Sequence, residues 1–338
     1  MILNAFSIAA AFAALLRVVL GVAVVAASAG ALRSRPPEGE ERYYVAFVLG
    51  AALVGLVVVS WPLLYLVLQS FVPEWPGVMC IQGVTRIGTG SVGASAHLPG
   101  LVDLLEIGRP ALVFMAGTWV VLHLASRRGG PERLRIAMLA TLLACGLGAA
   151  VDGAAELAYL VIPKKEEFLA SGCCTSIAST FDRARGPPFA RPGVEGFAAA
   201  GLEEGGSAHF LVGGATLLGL TMALRRIRER RSAGAWLAIA LLGAAASLPV
   251  GLAFLQHVAA PAFLRLPFHA CAYCLLASAP ESFAGIAAHL LGAFAVGWAC
   301  VAFVMRAAGG GIGVSLLQGA RFGYCAALLM AAVRMAIR

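Results

Sequence analysis

The sequence predicts an all-α fold, a polytopic transmembrane helical bundle of seven to eight helices with its N-terminus extracytoplasmic. Three observations predict it. Of 338 residues, 60% are hydrophobic and only 12% charged, where a soluble domain carries about 25% charged residues. Several apolar runs reach or pass the roughly 20 residues that cross a hydrocarbon core about 30 Å thick. The basic residues gather in short clusters between those runs, as topology signals do. The formal charge of +8 is therefore a membrane signature, and no nucleic acid is expected as a partner.

The runs follow in order. The first, 5–31, has no basic residue ahead of it and holds Arg17 near its middle. The apolar core of a signal peptide would not tolerate that arginine, so the run reads as a retained first helix. Further spans are expected at 43–70, 108–126, 136–162, 205–224, 235–258 and 282–305. The last run, 313–337, contains Arg321 and Arg334 and reads as an eighth span in preference to a helix lying in the interface. No internal repeat and no soluble domain is apparent, so 1–338 reads as a single integral membrane domain.

Basic clusters alternate along this series. Arg33, Arg35 and Arg42 separate the first two spans; Arg127, Arg128, Arg133 and Arg135 separate the third and fourth. Arg225, Arg226, Arg228, Arg230 and Arg231 lie between the fifth and sixth, and Arg306 follows the seventh. These connections are short, so the excess of arginine assigns them to the cytoplasm. The connections 71–107, 163–204 and 259–281 then face out. They are rich in Gly, Pro and Ser, and the basic residues of 163–204 sit in a loop long enough for the charge rule to weaken.

The cysteines sort by the same boundary. Cys145, Cys300 and Cys325 lie within apolar helices, where a thiol behaves as a small hydrophobe. Cys80, Cys173, Cys174, Cys271 and Cys274 all fall in connections that the arginines place outside, on the oxidising side where disulfides persist. Histidines follow: His97, His209, His257, His269 and His289 gather towards the outer level, and only His123 lies towards the inner one. Such a gathering points to a site shared by at least two of them.

Two constellations carry chemistry. F-H-A-C-A-Y-C holds a C-x-x-C pair, Cys271 and Cys274, a spacing used by redox dithiols, metal sites and plain disulfides alike. A helix beginning there would favour the reactive thiolate. S-G-C-C-T-S holds the adjacent Cys173 and Cys174, which close only a strained and readily reduced ring or chelate a soft cation. Cys80 makes the outer count odd, so one thiol is left for a partner, a resolving step or a metal.

Charges also fall inside the spans. Arg17 lies about 18 Å along a first helix entering from outside, and Asp152 about 15 Å from the outer end of the fourth. At comparable depth they are expected to pair. Glu156, four residues on and on the same face, is then left over for proton movement or ligand binding. An unpaired charge there costs at least about 2.5–3.5 kcal/mol.

The layout, one C-x-x-C near a helix mouth and a second pair in an outer loop, resembles the membrane disulfide-generating quinone reductases. The C-C pair is similar to that of mercury-transport membrane proteins. Both resemblances cover a few residues and an arrangement, and both families have fewer helices.

Three function classes follow. The first is thiol–disulfide redox or electron transfer at the outer face of a bacterial inner membrane. It uses Cys271 and Cys274 as the primary dithiol, Cys173 and Cys174 as the exchanging pair and Cys80 as resolving thiol. Glu156 and His289 carry protons, His209, His289 and Glu156 line a cofactor site, and a quinone is the acceptor. The second is binding of copper or another soft metal by Cys271, Cys274, His269, His257 and His97, or of haem by His209 and His289. The third is a non-catalytic subunit with structural disulfides. Partners in these readings are the lipid bilayer, an outer thiol or electron-transfer protein, and other membrane subunits. Walker A, G-x-S-x-G, H-E-x-x-H and Rossmann fingerprints do not occur.

Overall fold

A computed structural model describes residues 4–34, 38–75, 78, 80–88, 93–126, 132–164, 202–264, 271–305 and 311–337. Among the described residues there is no strand, and eight helices are long and apolar enough to cross a membrane. The all-α polytopic bundle is thus the observed fold, and 313–337 falls within the eighth of these helices.

The chain divides into two compact units, Met1–Ala178 and Ser179–Arg338. The first contains α1 (Ala5–Arg33), α2 (Glu38–Phe71), the short α3 (Ile81–Thr85), α4 (Leu98–Ser126) and α5 (Glu132–Val161). The second contains α6 (Leu202–Arg228), α7 (Gly234–Phe254), the short α8 (Ala260–Leu264) and α9 (Ala272–Ser278), α10 (Glu281–Val304) and α11 (Gly311–Ala336).

Helix α1 starts where its sequence says it should. The Asn4 side chain accepts from the Ser7 backbone at 2.8 Å, and the Asn4 N–H donates to Ser7 Oγ at 3.0 Å, a reciprocal cap that satisfies two otherwise orphaned donors. The Asn4 amide also donates to Ser70 Oγ at 2.9 Å, tying the start of α1 to the end of α2.

In the first unit α1 packs on α2 and α5, and α4 packs on α5 and α2. The α1–α5 seam is built from small residues. A Cβ added at Gly21 would sit 2.5 Å from the Gly146 carbonyl oxygen, and one at Gly153 would sit 2.6 Å from that of Ala14. Backbones that close need glycine, and such seams are how membrane helices gain contact when lipid offers no hydrophobic driving force.

The second unit repeats this plan. Helix α6 packs on α7 and α11, and α10 packs on α11 and α7. In both units the connection from the second long helix to the third carries a short helix capped by a cysteine, Cys80 for α3 and Cys271 for α9. This shared order of elements was not visible as a sequence repeat, because apolar spans match one another by composition alone.

Two boundaries differ instructively from expectation. Helix α4 starts at Leu98, not at 108, after a 3-10 turn at Ala94–His97. The charges Asp103 and Glu106 give the stretch before 108 the polarity of a loop. Likewise the sixth span runs on past Phe254 through a π-helical segment, Leu255–Ala259, into α8. Both changes shorten the outer connections expected at 71–107 and 259–281.

Candidate functional site

Among the described residues, each unit encloses a buried polar centre. In the first, Arg17 bonds the carboxylates of both Asp152 and Glu156. Arg109, on α4, lies with Nε 3.4 Å from Asp152 and Nη2 2.8 Å from Glu156, and it donates to the Ser60 carbonyl of α2. All four charged side chains are buried, Arg17 to 0% exposure and Glu156 to 2%. Two guanidinium and two carboxylate groups cancel, so the quartet carries no net charge into the bilayer.

The Arg17–Asp152 pair is therefore as the sequence suggests, but Glu156 is not left over. Arg109 is the residue sequence reasoning misses: it falls at the very start of the span expected at 108–126, where an arginine reads as an end charge, whereas the helix begins at Leu98 and buries it. The Glu156 carboxylate is shared between the Arg17 and Arg109 guanidinium groups. At the edge of this unit the Lys164 ammonium donates to the Tyr159 carbonyl at 2.7 Å and lies over the Tyr159 ring. Burial lowers its pKa to about 8.

The second centre lies among α6, α7, α10 and α11. His209 stacks on Phe254 with ring centroids 4.3 Å apart, and His289 lies 5.6 Å from His209 and edge-on to Tyr324. Nε2 of His289 is 3.1 Å from the Ser247 carbonyl oxygen. Gly251 gives the ring its room, since a Cβ there would come within 3.2 Å of Nε2. Ser247 Oγ donates to the Ala244 carbonyl at 2.8 Å and meets the Tyr324 hydroxyl at 2.7 Å. The serine's own proton is thus committed, and Tyr324 is the donor of that bond.

Both histidines line a cavity of about 230 Å³ with walls that are chiefly apolar. Its side towards the chain's C-x-x-C is formed by Leu275 of α9, and an ion pair between Glu281 and Arg334, both partly exposed, lies on its lining as well. Leu275 is fully buried in a cluster with Phe254, Val258 and Ala279, which fixes α9 against the π-helical segment.

That packing positions the thiols. Cys271 caps α9, and the Cys274 backbone N–H points at its Sγ from 3.4 Å. The two sulfurs lie within 4.8 Å of each other. Cys271 is 2% exposed, whereas Cys274 is only half-buried. One soft cation could take both sulfurs, and a small approach would join them.

Comparison of the chain with protein-family models, curated proteins and solved structures returns no match.

The remaining expected residues are placed as follows. Cys80 is buried at the start of α3 in the first unit. His97 is exposed in the turn before α4, and His257 is exposed in the π-helical segment. Among the described residues neither joins a group of three metal-ligating side chains. Cys173, Cys174 and His269 lie outside the described residues. Within the second unit, Cys271 with Cys274 and His209 with His289 are pairs brought together among the described residues.

Proposed function

We propose that the chain is a thiol–disulfide oxidoreductase of a bacterial inner membrane, with Cys271 and Cys274 as its working dithiol and a quinone as electron acceptor. The observation that carries the reading is the pair itself. Two sulfurs within 4.8 Å, one buried under a backbone N–H and the other reachable, suit exchange better than a permanent staple. The apolar cavity bordered by Leu275 of the same short helix is the supporting feature, for it suits an aromatic ring.

The steps balance without further reagents. A partner's thiolate attacks Cys274 Sγ of the oxidised pair, forming a mixed disulfide, and the Cys271–Cys274 bond breaks with its electron pair passing to Cys271. The Cys274 N–H stabilises that leaving thiolate, and a better leaving thiol speeds exchange. The partner's second thiolate then expels Cys274. The dithiol so formed gives two electrons and two protons to the quinone, which becomes hydroquinone as the disulfide closes. The outer face carries this chemistry because the arginine-rich connections are assigned to the cytoplasm.

Alkylation trapping in membranes tests the reading. With the quinone pool held reduced, Cys271 and Cys274 are expected to accumulate as thiols, and with the pool oxidised as a disulfide. A pair that stays oxidised in both states is a staple.

A second reading rests on the same sulfur spacing: capture of a soft cation such as Cu(I) by two thiolates. Metal analysis of protein purified without chelator separates it. Stoichiometric copper that protects both thiols from alkylation favours it over redox.

A further inference from the structure

The cavity in the second unit makes a demand on its occupant that its apolar walls alone would not. Nε2 of His289 faces a carbonyl oxygen, that of Ser247, at 3.1 Å. A carbonyl only accepts, so Nε2 carries the proton, and in the neutral ring Nδ1 is left with its lone pair. His289 is 9% exposed, and its Nδ1 is buried with no hydrogen-bond partner among the described residues. A buried acceptor left unpaired is costly, and a hydroxyl donor relieves it.

The tautomer is held in place. Ser247 sits in a fixed chain in which Tyr324 donates to Ser247 Oγ and Ser247 donates to Ala244, so the backbone carbonyl that orients His289 is well anchored. The cavity that His289 lines offers flat and aliphatic surface as well: the His209–Phe254 stack, Leu275, Ile286 and Met330. Its volume of about 230 Å³ suits a single substituted ring.

We propose that this cavity binds the hydroquinone form of a benzoquinone-type ring, its hydroxyl donating to Nδ1 of His289. A quinone carbonyl presents only lone pairs to that nitrogen, so the oxidised form binds more weakly. This inference deepens the functional reading above and rests on it for the ligand's source. It adds a direction. A site that holds the reduced form tenfold more tightly makes the bound quinone a stronger oxidant by about 30 mV, which favours withdrawal of electrons from the thiols.

The test is direct binding in detergent, using a short-tailed benzohydroquinone, its dimethyl ether and the parent quinone. The hydroquinone is expected to bind about tenfold more tightly than either of the others, the scale of one hydrogen bond. His289→Phe is expected to level the three affinities. His289→Asn, whose amide can donate to Ser247 and accept from the ligand, is expected to restore part of the preference. Ile286→Trp fills the cavity and is expected to abolish binding while leaving His289 intact. Equal affinity of the ether and the hydroquinone for the unaltered protein overturns the role of His289. Binding unaffected by Ile286→Trp overturns the cavity. Either result leaves the thiol chemistry standing if trapping still follows the quinone pool, so the two readings fail separately.

Discussion

Arg17→Ala is expected to cost about 3–5 kcal/mol, the range for removing one partner from a buried ion pair, and to leave little folded protein in detergent. The reason is charge arithmetic. Without Arg17 the centre of the first unit holds Arg109 against Asp152 and Glu156, a net charge of −1 buried among side chains at most 4% exposed. Hydration cannot compensate there, and the backbones of α1 and α5 are too close at Gly21 and Gly153 for water to enter in Arg17's place. The double variant Arg17→Ala with Glu156→Gln removes one charge of each sign. It is expected to recover a large part of the loss, read as a higher melting temperature and a restored monodisperse peak in gel filtration. Arg17→Ala melting with the unaltered protein would show that the quartet does not hold α1, α4 and α5 together.

The second large effect concerns the thiols. Either Cys271→Ala or Cys274→Ala is expected to bring thiol-to-quinone turnover down to background, since one sulfur cannot close a disulfide. The two variants are expected to differ in what they trap. With oxidised glutathione, Cys271→Ala leaves the half-buried Cys274, which is expected to form a mixed disulfide readily. Cys274→Ala leaves the buried Cys271 and is expected to react far more slowly, because access limits exchange as much as thiolate character does. Mass spectrometry of the intact variants reads the adduct. Equal rates would contradict the assignment of Cys274 as the entry sulfur.

How much of this was legible in the residues depends on what kind of signal each feature leaves. The spans were legible because length and apolar composition are the physical requirement for crossing a bilayer. Arg17 and Asp152 were legible because a charge in such a span needs a partner at its own depth. Arg109 was not, since it opens the span expected at 108–126 and reads there as an end charge; the helix begins at Leu98, carries Asp103 paired with Arg86 at 3.8 Å, and buries Arg109 against two carboxylates. The common plan of the two units was hidden for a related reason. Four apolar helices carry little register information, and the cysteine-capped short helices at Cys80 and Cys271 coincide only once the fold is known.

The functional site was half legible. The C-x-x-C and the outer histidines stood out by residue type. That His209 and His289 meet while His97 and His257 are exposed was not, because it follows from which helices neighbour one another. The cavity has no sequence signature at all. It is lined jointly by the end of α7 and the π-helical segment after Phe254, by Leu275 of the short helix at Cys271, and by residues of α10 and α11.

The most direct measurement mixes purified, fully reduced protein with a short-tailed benzoquinone in the absence of oxygen, following hydroquinone by absorbance and thiols by alkylation and peptide mapping. One hydroquinone formed for every two thiols lost, with the new bond mapped to Cys271 and Cys274, is the expected result. Quinone consumed without that bond, or thiols that persist beside unreacted quinone, would contradict it.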